Sequence, residues 1–166
     1  MIETTQLSQK LGERLLATNN IMTTAESCTG GGVVMALTDV AGSSAWVDRA
    51  FVTYSNEAKV EMLGVSIEAI NTYGAVSEET VEEMAKGALN RSNATIAVAI
   101  SGVAGPGGGS EEKPVGTVCF AFMSKDGWKL VETCYFDGNR SEVRLQAVEH
   151  VLTKVYDHLD HNGASH

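Results

Sequence analysis

Leu7, Leu11, Leu15 and Leu16 recur at helical spacing, which predicts an amphipathic helix over residues 5–18. A short strand over 21–25 follows, then a turn over 26–32 and a helical stretch over 33–37. Residues 41–44 read as a loop and 46–54 as β-rich. A helix over 56–63 ends at Gly64, a residue suited to the left-handed cap position, and a second short helix spans 66–73. Ser77 is a predicted N-cap, with Glu78 and Glu79 in the first turn, where negative charge suits the helix dipole. That helix runs to about residue 90. Residues 94–101 form a continuous apolar run, the mark of a strand buried on both faces. A glycine-rich loop to about residue 114 leads into strands over 115–123 and 128–136. The Asp126-Gly127 pair between them is a hairpin turn signal. Val148, Val151, Leu152, Val155 and Leu159 lie on one stripe of a closing helix over 141–160. This order predicts an α/β fold, a three-layer α/β/α sandwich around a mixed, partly parallel central sheet. In such sheets ligands gather where loops leave the C-terminal strand ends, so the loops after Ala25 and Ser101 are the candidate site loops.

Composition narrows the class. The 166 residues are 43% hydrophobic and 20% charged, which suits a single soluble globular domain over 1–166 with a polar tail from about 160. No apolar run approaches the ~20 residues of a membrane span. The first ten residues lack a basic and apolar leader, so a cytoplasmic location is expected. Twelve Lys and Arg against 21 Asp and Glu give a net charge of −9, which disfavours a nucleic-acid surface built on phosphate neutralisation. Cys28, Cys119 and Cys134 are odd in number and far apart, and read as reduced thiols. The histidines show no metal-binding spacing, and His158, His161 and His166 fall in the polar tail, so no dedicated metal site is expected.

Four segments could carry chemistry. Glu26-Ser27-Cys28-Thr29-Gly30-Gly31-Gly32 passes from strand to helix, exposing a small nucleophile beside free main-chain amides. The amides of Thr29, Gly30 and Gly31 could hold an oxyanion; equally, Ser or Thr could be an ordinary helix cap. Cys28 is a weaker nucleophile candidate than Ser27, because an isolated cysteine is usually a small buried hydrophobe. In Tyr54-Ser55-Asn56-Glu57-Ala58-Lys59, burial could lower the Lys59 pKa enough to make it a base for a serine, or Lys59 could be an exposed partner of Glu57 or Glu61. The loop from Ser101 and Gly102 through Gly105, Gly107 and Gly108 could form an anion-binding nest, or be a flexible connection. Arg140 and Arg144 share one face near a helix N-terminus, where an anionic ligand would relieve unfavourable dipole contacts; an ion pair with Glu142 is the alternative.

Taken together, AESCTGG, YSNEAK, SGVAGPGGG, KPVGTV and GNRSEVR, in that order, resemble the CinA C-terminal domain family over residues 7–159. The family has stand-alone members that are nicotinamide-nucleotide amidohydrolases. The resemblance implies an α/β/α sandwich, assembly into homo-oligomers and hydrolysis of the carboxamide of nicotinamide mononucleotide. It implies no metal and no cofactor. By position it makes Ser27 the nucleophile and Lys59 its base, with Tyr54 and Asn56 as neighbouring polar candidates. In the resulting scheme Tyr54 could relay the proton, Thr29 to Gly31 hold the oxyanion, and the glycine loop with Arg140 or Arg144 holds the phosphate. Trp46, Phe51 and the closing helix are candidates for an interface between copies. A non-catalytic nucleotide-binding or regulatory module is the competing expectation. A generic G-x-S-x-G hydrolase is excluded, because no glycine lies two residues before Ser27.

Overall fold

The strand at the middle of the sheet's parallel half is also a polar one. In the computed structural model, which describes residues 2–164, β1 (Met22–Glu26) reads Met-Thr-Thr-Ala-Glu and is buried throughout. It pairs in parallel with β2 (Val47–Val52) on one side and β3 (Ile96–Gly102) on the other. Its hydroxyls are satisfied internally: Thr23 donates to the Arg49 carbonyl at 2.7 Å and Thr24 to the Glu26 carboxylate at 3.0 Å. β3, the expected buried strand, then pairs antiparallel with β4 (Thr117–Ser124), and β4 with β5 (Lys129–Tyr135). The five-strand order is β2-β1-β3-β4-β5, a mixed sheet as expected. The β4–β5 turn forms where Asp126-Gly127 predicted it, with Gly127 at φ 106 and Ser124 N–H donating to the Trp128 carbonyl at 2.9 Å.

Helices cover both faces. α1 (Ile2–Ala17), α2 (Gly32–Thr38) and α6 (Arg140–Ala164) pack together on one side over Leu11, Leu15, Phe120, Phe122, Val151 and Val155. α3 (Asn56–Leu63), α4 (Ile67–Tyr73) and α5 (Glu78–Asn90) pack on the other, around Leu63, Ile70, Val81 and Met84. Ser55, Ser66 and Ser77 cap α3, α4 and α5 through their hydroxyls. α5 approaches α3 without any intervening side chain: a Cβ on Gly87 would fall 2.0 Å from the Leu63 carbonyl oxygen.

Two expectations change. Trp46 is a core residue, 7% exposed, lying against Gly12 of α1, where a Cβ would meet its ring at 2.5 Å; it is not surface available to another copy. The closing helix continues to Ala164, past the expected end at 160, and His166 lies outside the described residues. Among the described residues no helix is long and apolar enough to cross a membrane.

The topology sets the site. The chain leaves β1 to form α2 on one face and leaves β2 to form α3 on the other. Loops departing to opposite faces from neighbouring parallel strands open a crevice at their C-terminal ends. The ends of β3 and β5, and the start of α6, reach the same rim.

Candidate active site

Glu26 is the last residue of β1 rather than the first of a turn, and its side chain is fully buried. Its carboxylate accepts from Thr24 Oγ1 at 3.0 Å, Thr29 Oγ1 at 2.6 Å, and the Val33 and Val34 amides at 2.9 and 3.0 Å. Those amides belong to the first turn of α2, which has no side-chain cap at Gly31. Glu26 therefore caps α2 from a neighbouring element and shapes the turn between them. Gly31 takes φ 98 there, a conformation costly for residues with a Cβ.

Ser27 starts that turn, 7% exposed, with its amide donating to the Ile100 carbonyl of β3 at 3.0 Å. Across the crevice, Lys59 projects inward from α3, one helical turn before Leu63. Lys59 is 1% exposed. Its Nζ donates to Ser27 Oγ at 3.1 Å, to the Thr53 carbonyl at 3.0 Å and to the Tyr54 carbonyl at 3.4 Å. All three acceptors are uncharged. Burial accordingly pushes the Lys59 pKa below its ordinary value, opposed in part by the interaction with Cys28. A serine hydroxyl in direct contact with an amine whose pKa burial lowers is an arrangement able to activate that serine. Cys28 is unsuited to that part: burial pushes its thiol up to about 12.

A cavity of about 250 Å³ opens over this pair, lined among others by Tyr54, Asn56, Ser101, Gly102 and Arg140. Ala75 and Val76, which carry no chemical signal in the sequence, complete it. A larger cavity of about 350 Å³ lies on the far side of the turn, against Met35, Arg144 and Val148, and contains neither Ser27 nor Lys59. The smaller cavity, which holds the Ser27–Lys59 contact, is the candidate active site.

The remaining candidate residues divide. Arg140 reaches the crevice, donating to the Gly105 carbonyl at 2.8 Å and the Tyr54 hydroxyl at 3.2 Å. The Tyr54 phenol is thus engaged with Arg140 and largely exposed, while only its main-chain carbonyl meets Lys59. Arg144 does not line this cavity. It grips the turn from behind, donating to the carbonyls of Cys28 at 3.0 Å and Thr29 at 3.2 Å. The Gly30 amide is already spent on the Ser27 carbonyl at 3.0 Å, so it meets an oxyanion only by giving up that turn. Thr29 and Gly31 stand beside the cavity rather than in its lining, and Gly107 and Gly108 are exposed loop residues away from it. Gly105 is buried at φ +85, where a Cβ would strike Val115 at 2.5 Å, so its carbonyl is held for Arg140.

Comparison with known proteins agrees in scope. The CinA C-terminal domain matches residues 4–159. The chain is 52% identical over 160 residues to the nicotinamide-nucleotide amidohydrolase PncC of Escherichia coli (strain K12), covering 96% of this chain and 97% of that one. The protein of the same name from Pseudomonas putida is 52% identical over 145 residues, 87% of this chain and 89% of its own. The crystal structure of the competence/damage inducible protein CihA from Agrobacterium tumefaciens matches with a TM-score of 0.90 at 47% identity, covering 95% of each chain.

Proposed function

Because the chain belongs to the CinA C-terminal domain family, and because Lys59 Nζ meets Ser27 Oγ at 3.1 Å, we propose that it is an amidohydrolase acting on nicotinamide mononucleotide. The products are nicotinate mononucleotide and ammonia. The Ser27–Lys59 contact carries the reading, because a nucleotide-binding module has no use for a buried amine beside a serine.

The geometry supports a serine-nucleophile route. In neutral Lys59 the two N–H groups stay on the Thr53 and Tyr54 carbonyls and the lone pair faces Ser27, taking its proton as Oγ attacks the carboxamide carbon. Negative charge builds on the amide oxygen. Arg144 holds the Cys28 and Thr29 carbonyls on one side of the turn. In a trans peptide the N–H points opposite to the preceding carbonyl, so the Thr29 amide is turned away from Arg144. The amides of Cys28 and Thr29, directly after the nucleophile, are the oxyanion donors in this scheme. Collapse of the intermediate breaks the C–N bond, and Lys59 returns its proton to the departing nitrogen, releasing ammonia. Water then cleaves the Ser27 ester, with Lys59 accepting the water proton and handing one back to Ser27. Tyr54 need not relay anything, since the amine and hydroxyl already touch. Arg140 is the cation placed to take the phosphate, and Arg144 is a positioning residue for the turn. A cavity of about 250 Å³ suits the pyridine ring and part of the sugar, with the phosphate at the mouth beside Arg140.

Ammonia release from nicotinamide mononucleotide is the test. The wild-type protein turns it over, and Ser27→Ala, folded by circular dichroism, loses on the order of 10³-fold or more in kcat. Wild-type turnover in Ser27→Ala refutes the nucleophile. Tight binding of the nucleotide without ammonia, from the wild-type protein, establishes the non-catalytic module instead.

A further inference from the structure

On the opposite side of the sheet from Lys59, β5 and α6 bring together three side chains that the proposed reaction does not use. Glu132 and Cys134 are two apart on β5 and therefore face the same way. β5 is an edge strand, and His150 of α6 stands over the pair. His150 Nε2 hydrogen-bonds the Glu132 carboxylate and lies 3.6 Å from Cys134 Sγ. The three donor atoms fall within 4.8 Å of one another. The imidazole is held in place by aromatic neighbours, with ring centroids 4.5 Å from Phe120 and 6.0 Å from Phe136. The group is not sealed: the side chains of His150 and Glu132 are 19% and 24% exposed.

We propose that Glu132, Cys134 and His150 form a binding site for a Zn²⁺-like transition-metal ion. Zinc bonds of about 2.3 Å to sulfur and 2.0–2.1 Å to nitrogen, at a tetrahedral angle, set those two ligands roughly 3.5 Å apart. The Sγ–Nε2 separation of 3.6 Å meets that spacing as it stands. Only the carboxylate has to withdraw, and it sits on the partly exposed side of the group. A thiolate and an imidazole with one carboxylate select zinc or cobalt over magnesium or calcium, which take oxygen ligands. The fourth position faces solvent and takes a water. On binding, Cys134 loses its thiol proton to solvent, the Glu132–His150 hydrogen bond opens, and His150 coordinates as neutral imidazole through Nε2.

The ion would fasten α6 to the sheet edge. His150 lies ten residues after Arg140, about 15 Å along the helix. The site is therefore separate from the reacting atoms but shares a helix with Arg140 of the crevice and with Arg144, which holds the Cys28 and Thr29 turn. Its parts were invisible by spacing, since Cys134 and His150 are 16 residues apart in different elements.

Tag-free full-length protein, freed of metal by chelator and titrated with Co²⁺ and then Zn²⁺, tests the site. One Co²⁺ per chain should bind with a thiolate-to-cobalt charge-transfer band in the near ultraviolet, and Zn²⁺ should displace it. Zn²⁺ at a hundredfold excess over its Kd should raise Tm by about 5–10 °C. Cys134→Ser should abolish the band, His150→Gln should weaken Zn²⁺ binding at least tenfold, and Cys119→Ser should change neither. Where a variant fails to fold, Zn²⁺ should still protect Cys134 of the wild-type protein from alkylation by iodoacetamide, read by mass spectrometry. The site is refuted by the absence of saturable uptake, by a charge-transfer band that survives Cys134→Ser, by cobalt bound without that band (the signature of His158 and His161), or by unprotected Cys134.

Discussion

Glu26 and Lys59 are both buried beside Ser27, and their surroundings are opposite in kind. Glu26 receives four donors and is saturated. Lys59 donates to three uncharged oxygens. A buried charged group with a full set of partners holds structure together, whereas one with only neutral partners is driven toward its uncharged form. The same crevice thus contains a fastener and, in the proposed reaction, a base, and the partners tell them apart where burial does not.

Replacing each group should expose that contrast. Lys59→Met is expected to lower kcat for ammonia release by about 10²–10⁴-fold, the range for a positioned acid–base. It should not destabilise the fold at neutral pH. The folded-state pKa of Lys59 is depressed, so its protonation penalises the folded state below that pKa. The penalty fades as pH rises toward the unfolded value of about 10.4, so wild-type stability gains with pH across that window, and Lys59→Met should flatten the gain. Thermal melts of both proteins across alkaline pH check this; identical slopes would mean that the amine is not strained by burial. Glu26→Ala should behave in reverse, losing at least ~3 kcal/mol of stability in urea titration, because several buried donors lose their acceptor at once. A loss under ~1 kcal/mol would show that α2 is held by packing instead. Arg140→Ala lies outside the buried pair and should leave kcat within a few-fold while raising KM roughly 10–100-fold, as expected for a charge-assisted contact worth ~1.5–3 kcal/mol. A fall in kcat alone would move Arg140 into the chemistry.

Much of this was legible along the chain, for local reasons. The apolar run over 94–101, the Asp126-Gly127 turn and the Ser77 cap are each decided by neighbours a few residues away, and each forms as expected. Ser27 and Lys59 stood out through the order of their motifs, although nothing local says that they touch. What escaped was the assignment of function among neighbours. Glu26 looked like a turn residue because its four donors come from Thr24, Thr29, Val33 and Val34, which converge only once the turn is folded. Tyr54 sits next to the right place, yet its carbonyl and its phenol point to different partners. Arg140 and Arg144 share a helix face as spacing requires, but the turn of Cys28 and Thr29 fills the space beneath Arg144 and leaves only Arg140 at the crevice.

The bare approach of α5 to α3 at Gly87 reaches the chemistry as well. Leu63, whose carbonyl rests there, is the last residue of the short helix that carries the amine. A single methyl at this spot would act as a shim, tilting that helix outward and drawing Nζ off the hydroxyl. How deep the amine sits is thus set from behind, by a hydrogen atom on a helix that never faces the substrate.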